Sequence, residues 1–152
     1  MSVVLALFLA LTPAWGAEPI KMGSLKSDEV NVRSGPGTRY PILWTYKLRG
    51  YPIHAFAEYD LWYKIRDAEG EEGWISKNFF SNIHTVLISP GPLANVYTKN
   101  DGNHVIMQLE PGVVATLDRC AISQCRVKIE KRAGWVNRDR LLMLDPQPHG
   151  KN

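Results

Sequence analysis

The sequence predicts an all-β protein built as two small barrels in tandem, and three observations carry that prediction. A motif occurs twice in one order: Asn31-Val32, Tyr63-Lys64-Ile65 and Gly73-Trp74-Ile75, then Asn95-Val96, Val127-Lys128-Ile129 and Gly134-Trp135-Val136. The offsets are 95 − 31 = 64, 127 − 63 = 64 and 134 − 73 = 61, so the copies differ by a small loop deletion. Fixed-order self-similarity at such a period marks a duplicated unit. Short alternating apolar runs bounded by Gly, Pro and polar turns fill both copies, with almost no helix signal among them. Each copy is roughly 60 residues long, near the lower limit for a core that folds unaided.

The elements follow in order. Leu43-Trp44-Thr45-Tyr46-Lys47-Leu48 is apolar and aromatic, and Arg49-Gly50 turns the chain into the run Tyr51 to Tyr59, where Ile53, Ala55 and Ala57 share a face. In Trp62-Tyr63-Lys64-Ile65-Arg66, Tyr63 and Ile65 alternate together toward the core, which leaves Trp62 and Lys64 on the opposite side. The polar turn Ala68 to Gly73 precedes Trp74-Ile75-Ser76. Copy two repeats this course through Pro111-Gly112, Val113 to Leu117, Arg126 to Ile129 and Trp135-Val136-Asn137. About five short strands per copy make a small barrel. Trp74 and Trp135 each follow a turn glycine and open a short apolar strand, so both are expected to close the barrel core.

The stretch Val30-Asn31-Val32-Arg33-Ser34-Gly35-Pro36-Gly37-Thr38-Arg39-Tyr40-Pro41-Ile42 resembles the opening strand and RT-type loop of bacterial SH3 domains. Leu48-Arg49-Gly50, Trp62 to Ile65 and Gly73-Trp74-Ile75 stand in that family's order, so copy one is matched nearly end to end. Copy two keeps Asn95-Val96, Pro111-Gly112, Arg126 to Ile129 and Gly134-Trp135-Val136, but holds Thr98 to Asn103 in place of Ser-Gly-Pro-Gly. The resemblance implies two SH3-like barrels, at 27–82 and 83–145, and a role in binding cell-wall peptidoglycan or peptides of the envelope.

The ends are read separately. Val3 to Leu11 is an apolar run well short of the ~20 residues that span a bilayer, and Pro13 to Ala17 supplies a breaker and small residues. Residues 1–17 are therefore expected to be a signal peptide cut after Gly16 or Ala17, leaving no stable membrane span and an exported, periplasmic or secreted protein. Residues 18–26 are expected to be a linker and 146–152 a disordered tail. Export bears on Cys120 and Cys125, the two cysteines of the chain. An even count in an oxidising compartment favours a disulfide that staples two strand ends; a redox-active pair would want Cys-x-x-Cys at a helix start.

The chemistry-bearing residues do not assemble into a catalytic pattern. His54, His84, His104 and His149 lack metal-ligand spacing, no Gly-x-Ser-x-Gly elbow occurs, and Glu69, Glu71 and Glu72 crowd one turn as solvated charge. The Gly-Pro-Gly loop enters a strand, whereas phosphate cradles open a helix. Neither an enzyme, a cofactor nor a metal is expected, and a net charge of +3 is too small to imply nucleic acid. What remains is recognition, because Tyr40, Trp44, Tyr46, Tyr51, Tyr59 and Trp62 are more aromatics than so small a core encloses. The candidate ligand-binding residues are Arg33, Thr38, Tyr40 and Trp62, with Tyr97 and Arg126 matched to Arg33 and Trp62 in copy two. The alternatives are a scaffold that presents a composite surface of both barrels, a packing role for the aromatics, and an enzyme of unfamiliar type.

Overall fold

A computed structural model describes residues 18–143; the expected signal peptide and the expected tail lie outside them. The fold is all-β, with two tandem SH3-like barrels. Barrel one comprises β1 (Lys21–Leu25), β2 (Val30–Arg33), β3 (Ile42–Tyr46), β4 (Pro52–Tyr59), β5 (Trp62–Asp67), β6 (Glu72–Ser76) and β7 (Phe80–Ser81). Barrel two comprises β8 (Thr85–Ile88), β9 (Ala94–Tyr97), β10 (Val105–Leu109), β11 (Val114–Cys120), β12 (Gln124–Ile129), β13 (Arg132–Asn137) and β14 (Leu141–Leu142). The strand orders, β3-β2-β6-β5-β4-β1-β7 and β10-β9-β13-β12-β11-β8-β14, are the same pattern repeated. A single 3-10 turn precedes the last strand of each barrel, at Lys77–Phe79 and Arg138–Arg140.

Seven strands stand where about five were expected, and the difference corrects the linker at 18–26. Lys21–Leu25 is no linker: β1 pairs with β4 from Lys21↔Ala55 to Ser24↔Pro52 and with β7 at Ser24↔Ser81 and Leu25↔Phe80. Gly23, Ser24 and Leu25 are buried there. Lys-Met-Gly-Ser-Leu contains no β-branched residue, so its strand character comes from pairing on both edges, not from local propensity.

Strand alternation decides what each core contains. Leu25, Val30, Val32, Ile53, Ala55, Tyr63, Ile65 and Ile75 fill barrel one; Val86, Ile88, Ala94, Val96, Leu109, Ala115, Cys125, Val127, Val136 and Leu141 fill barrel two. Tyr63 and Ile65 point inward as their parity demands, with Trp62 and Lys64 half-buried on the other face. The same parity overturns the core role expected of Trp74 and Trp135. Gly73 and Ile75 are the buried residues of β6, and Gly134 and Val136 those of β13; each tryptophan between them lies half-buried on the outer face. Arg119 lies over the Trp135 ring at 5.5 Å.

Pairing also shifts the equivalence between copies. Ile65 sits opposite Gly73 and Val127 opposite Gly134, so Val127 answers to Ile65, Arg126 to Lys64 and Cys125 to Tyr63. Trp62 faces Ser76 and Gln124 faces Asn137, which makes Gln124, not Arg126, the counterpart of Trp62. The repeated Lys-Ile had aligned the strings two residues out of structural register. Tyr97 keeps its place as the counterpart of Arg33, since each pairs with the strand tryptophan.

Cys120 and Cys125 form a disulfide (S–S 2.02 Å) between directly paired residues of β11 and β12. Cys125 is fully buried in the core of barrel two. Closing so short a loop stabilises by about 2 kcal/mol in the chain-entropy model. Reduction is expected to lower barrel two by that amount in urea unfolding followed by NMR, with barrel one unmoved; equal loss in both barrels, or none, would contradict this.

Among the described residues, side-chain hydrogen bonds tie barrel one to barrel two and to the segment that connects them. Thr85 Oγ1 donates to the Gly50 carbonyl at 2.7 Å, and Ser24 Oγ donates to the Ile83 carbonyl at 2.8 Å.

Candidate functional site

The loop from Ser34 to Pro41 folds over its own aromatic. A Cβ on Gly35 would lie 2.5 Å from the Tyr40 ring, so only glycine lets the ring close down on the loop backbone. Arg33 then ties the loop: its Nη1 donates to the Thr38 carbonyl at 3.0 Å and to the Tyr40 carbonyl at 2.8 Å. Arg39 covers the outer side of the same ring, its guanidinium 5.1 Å from the Tyr40 centroid. The hydrogen bond from Arg39 to the Tyr40 hydroxyl raises the arginine's already high pKa, so it is charged throughout.

Against this loop stands the tight turn Asp60-Leu61, between the paired Tyr59 and Trp62 of β4 and β5. Asp60 takes a positive φ of 48°, a conformation aspartate tolerates better than most residues. The turn leaves Leu61 65% exposed and Tyr59 64% exposed. Between loop and turn lies an open groove of about 440 Å³, lined by Pro36, Gly37, Thr38, Arg39, Asp60, Leu61, Trp62 and Ser76.

The four predicted residues divide by role. Thr38 and Trp62 line the groove, while Arg33 and Tyr40 stand behind it and hold the loop's shape. Leu61 and Ser76 were not anticipated. Leu61 was legible as an apolar residue at the tip of a hairpin turn, but Ser76 reaches the groove only because β6 runs beside β5 with Ser76 opposite Trp62. Of the six aromatics singled out in the sequence, Trp62 lines this groove, Tyr40 sits under its loop and Tyr59 stands exposed beside its turn, while Trp44, Tyr46 and Tyr51 pack against the core elsewhere. In barrel two, Gln124 at the Trp62 position is buried and donates to Asn137 Oδ1 at 2.7 Å.

Among the described residues no group of three or more His, Cys, Asp or Glu gathers as a metal site would. Nor is any described helix long and apolar enough to cross a membrane.

No curated protein matches the chain. Among solved structures the chain is similar to NlpC1 from Trichomonas vaginalis, at 17% identity and a TM-score of 0.40, covering 97% of this chain and 54% of that one. It is also similar to NlpC2 from Trichomonas vaginalis, at 19% identity and a TM-score of 0.37, covering 87% and 51%. It spans about half the length of these structures. The family model described as bacterial SH3 domain matches twice, at residues 26–81 and 91–142, and the chain therefore belongs to the bacterial SH3 family as a tandem of two such domains.

Proposed function

We propose that the protein is a non-catalytic binding module of the cell envelope, which recognises peptidoglycan or an envelope peptide through the groove of barrel one. The observation that carries this reading is the groove itself: an indole, an exposed leucine and an always-charged guanidinium held side by side at an open surface. Trp62 offers a face on which a sugar ring or an extended peptide stacks, and Arg39 meets a carboxylate in a bidentate pair. The lining sets an aromatic face, an apolar side chain and one guanidinium beside a single carboxylate, Asp60, a set that supports recognition. Membership of the bacterial SH3 family and the disulfide both fit an exported protein at the periplasmic or outer side of the envelope.

Trp62→Ala is expected to weaken co-sedimentation with purified cell-wall sacculi, or binding of an envelope peptide, by about 5- to 100-fold, the usual range for an interface aromatic. The thermal midpoint should move little. Arg39→Gln should weaken binding with no effect on folding. Normal binding by both variants would place recognition elsewhere, and a large drop in midpoint for Trp62→Ala would make the indole a packing residue. The Thr85–Gly50 hydrogen bond between the barrels favours a second reading, a scaffold in which the two barrels present one surface. Isolated barrel one binding as well as the tandem would dismiss it.

A further inference from the structure

Barrel one carries a second groove, of about 370 Å³, which shares no residue with the first. Trp44, Tyr46 and Tyr51 form its wall: the Trp44 and Tyr46 rings meet edge to face at 6.0 Å, and Tyr46 stacks on Tyr51 at 5.2 Å. Asp67, Glu69 and Glu71 complete it, with Lys47 as its one cation.

Asp67 is the organising group. It is buried, accepts a hydrogen bond from the Tyr46 hydroxyl at 2.7 Å, and accepts the backbone N–H groups of Glu69 and Glu71 at 2.9 Å each. Those bonds hold the turn so that both glutamates border the aromatic wall. The glutamate carboxylates are exposed and have no cationic partner among the described residues. Burial first, then the negative charge of Asp67 and Glu69, pushes the Tyr51 phenol up to about 12.

The duplicated barrel shows that the fold does not need this arrangement. Strand pairing matches Met107 to Trp44 and Leu109 to Tyr46, and the hydrogen bond from Leu25 to Tyr51, repeated from Ile88 to Val113, matches Val113 to Tyr51. The register of the second hairpin matches Ile129 to Asp67. In barrel two these four residues are an aliphatic extension of the core. At the same place barrel one has three aromatics and a buried carboxylate, and a buried carboxylate is costly unless it is held by hydrogen bonds, as this one is. An aliphatic set is enough for packing, so the aromatic and acidic set answers to a further requirement.

We propose that this groove binds an alkylammonium group, such as a lysine-type side chain of a peptide, with its methylene stem on Tyr46 and Tyr51 and its ammonium between Glu69 and Glu71. Three carboxylates against one lysine leave the lining two negative charges in excess, which selects a cation; the aromatic wall selects one with an apolar stem. The carboxylates do not converge as metal ligands do. This site is independent of the groove at Trp62.

The experiment is an NMR titration of the full exported chain with end-blocked Ala-Lys-Ala and, separately, with its Nε-acetyl-lysine form. The amine peptide is expected to shift the Trp44 indole and the Tyr46 and Tyr51 ring signals, and the acetylated peptide to leave them in place. Glu69→Gln/Glu71→Gln, which alters exposed groups only, should weaken the amine peptide at least tenfold with an unchanged thermal midpoint, and Trp62→Ala should leave it unaffected. Equal shifts with both peptides, no shift with either, or full binding by the double variant would overturn the assignment.

Discussion

Gly23→Ala is expected to destabilise barrel one by about 3 kcal/mol or more, the upper range for overpacking a closed interior. A Cβ at this position would lie 2.1 Å from the Ser81 carbonyl oxygen and 2.7 Å from the Phe80 ring. The first contact is to backbone, which no rotamer change relieves. β1 would have to part from β7 at the pairs Ser24↔Ser81 and Leu25↔Phe80. Phe80 would be displaced with it, and its ring packs edge-on against Tyr63, 5.2 Å away, at the rim of the core. For a domain of this size, 3 kcal/mol lowers the midpoint by more than about 10 °C. Calorimetry or NMR-monitored melting should show barrel one melting first and barrel two holding its disulfide-stapled midpoint. A variant that melts like the parent would mean that β1 does not close the barrel in solution.

Gly73→Ala and Gly134→Ala are expected to cost their own barrels about 2 to 3 kcal/mol each, and the paired result tests the duplication directly. At Gly73 a Cβ would meet Val32 Cγ1 at 2.3 Å and the Arg33 carbonyl at 3.2 Å; at Gly134 it would meet Val96 Cγ1 at 2.4 Å and the Tyr97 carbonyl at 2.9 Å. Val32 and Val96 are wholly buried and stiff at χ1, so neither has room to turn away. The glycine lets β6 cross β2, and β13 cross β9, at close range. Each substitution should lower one barrel alone, read from resolved amide signals during urea unfolding. An unchanged midpoint for either variant would remove this account of the Gly-Trp repeat.

Local chemistry made much of the molecule legible. Period-two alternation placed Tyr63 and Ile65 in the core and Trp62 on the outer face, because a strand's side chains have only two directions to take. Redox context and an even count paired Cys120 with Cys125. The Gly-Pro-Gly loop signalled a shaped surface loop, and Thr38 and Trp62 do line a groove beside it.

The errors share one cause: each depended on which strand lies next to which. Lys21–Leu25 has no strand signature of its own and becomes a strand only between β4 and β7. Trp74 and Trp135 looked like core by size, yet the adjacent glycines and the following Ile75 and Val136 take the inward positions, and alternation then sends the indoles out. The match of Arg126 to Trp62 followed a repeated Lys-Ile string, whereas hydrogen-bonded register puts Gln124 there.

From the sequence alone came the duplication, the all-β class, the disulfide and the side of the strand on which each β5 residue lies, because these rest on spacing and residue type along one chain. Only the tertiary structure put Trp62 in one groove and Trp44, Tyr46 and Tyr51 in another, and only it set Asp67, Glu69 and Glu71 against Tyr46 and Tyr51. Those residues belong to strands and turns some twenty positions apart, joined by a hydrogen bond between Tyr46 and Asp67 that no local pattern encodes.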